Sequence, residues 1–347
     1  MNHLSWFRNL LEKFVKLLKK NLQIDNIMKK SRLIVLLCAL LGICGTVKVE
    51  GQTPQRPSIT GVAHAAFFTK DLEHTRNYLK NFLGYDETIT LKNAEGKVSL
   101  SVFKINERQF IEVFPERKEK SNRMYHFAVE TTDAEAMRIY LKSKGYKVPD
   151  HTPKGRTGNL NYFVTDPNGT ICEIVQYGTD GMMAAKKGKD LSENRISPRM
   201  SHVGFMVADV DKAIEFYCGV LGFKEVWRGG SDPDKVKWVH LRVPEGDETI
   251  ELMLYDKEPT WERMGSMNHI CLEVKDIYAA EATLAGRVQP KGVRAPTPPK
   301  AGFNKKRQIN YYLIDDTRIE IMEEQPFDGI PAPSSKGKLM KYIPMDK

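Results

Sequence analysis

The apolar positions between Met200 and Val226, "MSHVGFMVADVDKAIEFYCGVLGFKEV", change their period twice. The run Val203, Gly204, Phe205, Met206, Val207 predicts a buried strand, and Asp209 and Asp211 then supply helix-start chemistry. Ile214, Tyr217, Val220 and Leu221 follow at helical spacing, and Gly222 predicts the helix end before a second strand at Phe223. This strand–helix–strand unit carries a histidine, His202, in its first strand.

A shift of 138 residues lays "VAHAAFFTKDLEHTRNYLKNFLGYDE", Val62 to Glu87, on the same pattern, with His64 on His202 and Gly84 on Gly222. A repeat of that period means two copies of one domain. Each copy holds a weaker half-repeat, one from Met124 with His126 and one from Met267 with His269. Each half-repeat closes on a short apolar strand with a glutamate at its centre: "FIEVF" with Glu112, "ICEIV" with Glu173, "IELML" with Glu251 and "RIEIM" with Glu320. The histidine-to-glutamate separations are 48, 47, 49 and 51 residues, so the spacing is a property of the template.

A lone strand histidine is ordinarily a satisfied core residue, and a lone strand glutamate ordinarily faces water. Neither reading accounts for four His/Glu pairs on one template. The glutamates are the sharper anomaly, because a carboxylate amid Ile, Val and Leu is costly unless it is paired or bound to metal. Two imidazoles and two carboxylates suit a divalent transition metal and leave coordination positions for water and substrate.

These residues resemble the vicinal oxygen chelate superfamily, which includes the glyoxalase I, fosfomycin-resistance, bleomycin-resistance and extradiol dioxygenase families. The likeness spans roughly Gly61 to Gln325. It implies an α+β fold of four βαβββ modules forming two tandem glyoxalase-like half-barrel domains. It also implies metal ligands His64, Glu112, His126 and Glu173 in the first domain, and His202, Glu251, His269 and Glu320 in the second. The ion would be Zn, Ni, Co, Mn or Fe(II), with about one per domain. Which modules pair is left open by the sequence.

The expected layout is an upstream extension (1–27), a signal peptide (28–51), a linker (52–60), a first domain (61–178), a linker (179–199), a second domain (200–325) and an irregular tail (326–347). The turn Asp166-Pro167-Asn168-Gly169 punctuates the last hairpin of the first domain. Its counterpart has only Asp315-Asp316, which predicts a shorter loop.

The formal charge of +9 raises the question of an acidic partner. Nine basic against three acidic residues fall in the first 51, so about two-thirds of the surplus lies outside the repeats, and no nucleic-acid-binding stripe remains. Lys29, Lys30 and Arg32, the apolar run Leu33 to Gly45, and small-residue chemistry at Val49 and Gly51 read as a secretory signal, with a secreted or periplasmic product. Any membrane contact would come through this segment. A lipid anchor at Cys44 is the alternative, disfavoured by Ile43 at a position that prefers a small residue. The stretch "LSWFRNLLEKFVKLLKKNL" before it has a basic amphipathic pattern. Cys172, Cys218 and Cys271, an odd number in apolar settings, read as free thiols.

By the resemblance, a glyoxalase-like lyase or isomerase would chelate a small molecule through two adjacent oxygens, with Glu320 and Glu173 as carboxylate bases. The runner-up is an Fe(II) extradiol-type dioxygenase on His202, His269 and Glu320. Against it, the second domain keeps Tyr312 and Asp315 of that family's fingerprint but lacks its Pro, Gly and upstream His. A third reading is a ligand-sequestering module of the bleomycin-resistance kind. Substrate contacts are expected at Arg156, Tyr312 and His240, and the basic run Lys305, Lys306, Arg307 offers further charge for an anion.

Overall fold

The computed structural model describes residues 53–118 and 123–342. The expected extension and signal peptide, and the last five residues of the tail, lie outside the described residues. Among the described residues no helix is long and apolar enough to cross a membrane.

The first module runs β1 (Ile59–Thr69), α1 (Leu72–Asn77), β2 (Glu87–Lys92), β3 (Val98–Lys104) and β4 (Phe110–Pro115). The second is β5 (Met124–Thr131), α2 (Ala134–Ser143), β6 (Leu160–Thr165) and β7 (Ile171–Gln176), followed by the short α3 (Met182–Ala185) in the linker. The third holds β8 (Met200–Val207), α4 (Val210–Ile214), β9 (Lys224–Gly229), β10 (Lys235–Val236), β11 (Trp238–Arg242) and β12 (Thr249–Leu254). After α5 (Trp261–Met267), the fourth comprises β13 (His269–Val274), α6 (Ile277–Ala285), β14 (Lys300–Ala301), β15 (Arg307–Tyr312) and β16 (Arg318–Glu323). Last comes β17 (Lys338–Leu339).

The four module helices start by one device. Asp71, Asp133, Asp209 and Asp276 each sit in extended conformation and accept a hydrogen bond from a first-turn backbone N–H. α1 and α4 run on into π-helical turns, Tyr78–Phe82 and Glu215–Val220. Gly84 and Gly222 then take φ of 83° and 78°, a left-handed exit that a side chain would oppose.

One sheet has the order β2-β3-β4-β1-β5-β7-β6 and the other β14-β15-β16-β13-β8-β12-β11-β9. In each, the first strands of two consecutive modules pair antiparallel at the centre, β1 with β5 and β8 with β13. Modules therefore pair within a domain. The domains share one apolar core, in which Phe127 stacks on Phe205 at 5.3 Å. The Gln109 amide also brackets the backbone of Met200, donating to its carbonyl at 2.8 Å and accepting from its N–H at 2.9 Å.

The α+β fold of two tandem glyoxalase-like domains is the expected one, and three local details differ. The second and fourth modules are incomplete as βαβββ units. The second has only an isolated bridge, Lys154 to Leu160, where its extra strand would lie, and the fourth has the two-residue β14. Pro149 and Pro153 in one, and Pro296, Pro298 and Pro299 in the other, cannot donate to a ladder. The tail is not wholly irregular, since β17 adds to β10 in parallel. Nor is the last hairpin loop shorter: residues 313–317 match 166–170 in length. Asp316, with φ of 60°, takes the left-handed position that Gly169 holds at 87°; Asp tolerates that conformation better than most residues.

Candidate metal centres

Alternation along each strand decides what faces the concave side of each sheet. In the first domain His64 and His126 project from the paired strands β1 and β5, while β4 and β7 bring Glu112 and Glu173 alongside. The two histidine Nε2 atoms lie 3.2 Å apart. Glu173 Oε2 is 3.3 Å from one and 2.9 Å from the other, and Glu112 Oε2 is 3.9 Å from both. The second domain repeats this, with His202 and His269 Nε2 3.1 Å apart. Glu320 Oε2 stands 3.2 and 3.4 Å from them, and Glu251 Oε2 is 3.5 Å from His269. All eight expected ligands are thus brought together in two clusters, and all but Glu251 are buried.

Convergence of four donor atoms in a buried site fits a divalent ion in both domains. His64, Glu112 and His126 in one, and His202, His269 and Glu320 in the other, each offer atoms within 4.8 Å of one another. The surroundings differ. His269 Nδ1 donates to the Met267 carbonyl at 2.8 Å, which fixes the ring and leaves Nε2 as a lone pair for metal. Among the described residues His64 and His126 have no hydrogen-bond partner at Nδ1. Burial pulls the His64 imidazole down, but the carboxylates of Glu112 and Glu173 outweigh burial and raise it to about 9. Burial prevails at His202 and lowers it, despite the hydrogen bond and charges of Glu320 and Glu251.

The concave face of the first domain is filled by an apolar cluster that includes Phe68, Val102, Phe110 and Phe114. His126 stands among Phe114, Tyr125 and Phe163. A small cavity of about 110 Å³ still reaches His126 and Ile171, and the second domain has larger ones. One of about 340 Å³ is lined by His202, His240, Trp227 and Thr249, with Pro326 and Pro331 of the tail over it. Another of about 670 Å³ is lined by Met206, Trp238 and Met253, which follow on the same strand faces.

His240, expected to contact substrate, joins the second cluster: its Nε2 is 3.1 Å from Glu251 Oε1. Burial alone would raise the Glu251 carboxyl, but the hydrogen bond and charge of His240 hold it well below the usual range. Tyr312 lies at the end of β15 with the Arg294 guanidinium 4.2 Å from its ring centre. Arg156 is exposed and outside both clusters, and its Nη1 donates to Ser99 Oγ at 2.9 Å, tying the loop before β6 to β3 near the other end of the sheet. In the basic run, Lys305 pairs with Asp328 and Arg307 with Glu323, leaving Lys306 on the wall of the smaller cavity.

Sequence reasoning missed Arg318. Its Nη2 lies 3.0 Å from His269 Nε2 and also touches His269 Nδ1. The signal was available in the aligned strands "ICEIV" and "RIEIM", where Ile171 and Arg318 each stand two residues before the glutamate. Thr249 and Asn310 were missed likewise.

The family model described as Glyoxalase/Bleomycin resistance protein/Dioxygenase superfamily matches residues 199–326, and a second model of the same description matches 63–163. A comparison with curated proteins gives no match. Among solved structures, a Mn(II)-bound glyoxalase from Novosphingobium aromaticivorans is 16% identical with a TM-score of 0.60, over 83% of this chain and 89% of that one. Homoprotocatechuate 2,3-dioxygenase from Arthrobacter globiformis is 14% identical with a TM-score of 0.58, over 84% and 86%. At such identities the likeness concerns the fold. With four modules pairing into two half-barrels, each around a His/Glu cluster, the chain belongs to the vicinal oxygen chelate superfamily, the glyoxalase/bleomycin resistance protein/dioxygenase group, as two tandem domains.

Proposed function

We propose that the second domain is the catalytic centre of a metal-dependent glyoxalase-like enzyme, a lyase or isomerase acting on a small molecule with two adjacent oxygens. The observation that carries this reading is the pair of carboxylates, Glu251 and Glu320, set against two imidazoles beside open cavities. His202, His269, Glu320 and Glu251 would hold the ion, which supplies Lewis-acid polarisation of the substrate oxygens. Burial opposes ionisation of Glu320, yet the neighbouring His202 and His269 rings and the charge of Arg318 hold it well below the usual carboxylate range. Glu320 Oε2, between the two imidazoles, is the carboxylate placed to take a proton from the neighbouring substrate carbon and return it. The His240–Glu251 bond keeps the second carboxylate in place meanwhile. The test is solvent deuterium incorporation into substrate or product without oxygen.

A second reading has its own support. His202, His269 and Glu320 form a two-histidine, one-carboxylate set, the arrangement of non-haem Fe(II) oxygenases, while Glu251 is held by His240. Oxygen consumption by Fe(II)-loaded protein, with no deuterium exchange, would establish it over the first. Export also belongs to this proposal: mature protein should begin near Gln52, and N-terminal sequencing of secreted or periplasmic material checks it.

A further inference from the structure

We infer that the second domain selects an anionic substrate, a small carboxylate with an apolar body, through Arg318. This rests on the function proposed above for the same site. Arg318 leaves β16 two residues before Glu320 on the same strand face; its Nη2 lies 3.0 Å from His269 Nε2, a contact that a bound ion would displace and so free the guanidinium, and 3.7 Å from Met253 Sδ. Its Nε is buried without a hydrogen-bond partner among the described residues. It forms no ion pair with a carboxylate among the described residues, whereas Arg307, on neighbouring β15, is paired with Glu323.

An unpaired guanidinium here runs against elementary electrostatics. Glu251 and Glu320 carry two negative charges, which a divalent ion neutralises. Arg318 then leaves one positive charge unbalanced in a partly buried site, close to the ion. Such a charge is costly unless an opposite charge arrives to meet it. A substrate carboxylate does this, and the planar fork of Arg suits it. In the first domain Ile171 stands at this place, so the four ligands and an ion balance there without an anion.

The adjoining cavity agrees with the inference. Met253, which Arg318 touches, lines the 670 Å³ space together with Met206 and Trp238, surfaces suited to an apolar or aromatic body. Its rim carries Lys237, Lys257 and Arg263 against Asp256 and Glu258, a surplus of one positive charge that favours entry of an anion.

The test compares two probes with adjacent oxygens and the same phenyl body, phenylpyruvate with its carboxylate and neutral 1-phenylpropane-1,2-dione. Each is titrated calorimetrically into the full chain, with and without Mn²⁺, after Mn²⁺ binding is measured by itself. Wild type should prefer phenylpyruvate. Arg318→Met should lose about 30-fold of that preference while still binding Mn²⁺, and Arg318→Lys should keep part of it. A preference unchanged in Arg318→Met, or no preference in wild type, overturns the inference. Failure of wild type to bind Mn²⁺ would instead remove the metal chemistry, and the ratio in the metal-free chain would still decide the role of Arg318. Should Arg318→Met misfold, Arg318→Lys decides: full loss or full retention of preference with Mn²⁺ bound counts against a guanidinium fork.

Discussion

At four matched places the first domain is apolar where the second is polar. Opposite the first-strand histidine stand Phe110 and Thr249; opposite the glutamate of the first module, Val102 and His240; opposite the last glutamate, Phe163 and Asn310; and two residues before it, Ile171 and Arg318. The ligand residues are the same in both. What differs is the lining: polar side chains beside larger cavities in the second domain, and mostly apolar side chains beside a smaller one in the first. The ligand set thus defines what a site can hold, and its neighbours define whether a substrate can reach it. On this account the first domain is retained for the shared core, and the second does the chemistry.

The largest expected effects come from exchanging roles between the halves. Glu320→Gln should lower solvent proton exchange by about 10³-fold, whereas Glu173→Gln should leave it within a few-fold. Deuterium exchange followed by mass spectrometry reads both, and equal losses would break the comparison. In stability the order reverses. Phe110→Ala empties a packed core position and should cost about 3 kcal/mol in denaturant unfolding, while Thr249→Ala, beside a cavity, should cost under about 1 kcal/mol.

Gly204 sharpens the contrast. A Cβ there would lie 2.1 Å from His269 Cε1, yet Ala66 fills the equivalent place opposite His126. Gly204→Ala should displace the His269 ring and weaken Mn²⁺ binding about 30-fold, and Ala66→Gly should leave it unchanged. Isothermal titration measures both. The smallest effect is expected from His240→Val, which installs the first-domain residue and deprives Glu251 of its partner. Turnover should fall about 10-fold with the metal retained, and no change would mean that His240 is structural.

Spacing made much of this legible. The four His/Glu pairs recur at nearly constant separation because each module puts its first and last strands side by side. The Asp N-caps and the glycine exits are local signals, so Asp209 and Gly222 could be read without the fold. The misreadings arose where distant parts decide. Asp316 adopts the turn conformation of Gly169 although its composition suggested a shorter loop. The tail segment Lys338–Leu339 gains strand structure only by meeting Lys235–Val236. The sequence likewise does not reveal Ser99 as the acceptor of Arg156. Arg318 was overlooked differently: the aligned strands set it against Ile171, but its neighbour across the ladder, His269, is known only from the fold.

The central claim is that the second domain, and not the first, holds the working metal. Mn²⁺ titration with electron paramagnetic resonance, on wild type, His202→Ala/His269→Ala and His64→Ala/His126→Ala, tests it most directly. The first variant should lose the tight site and the second should keep it, each with its fold intact by circular dichroism. Retention of the tight site in His202→Ala/His269→Ala, with its loss in His64→Ala/His126→Ala, would contradict the claim.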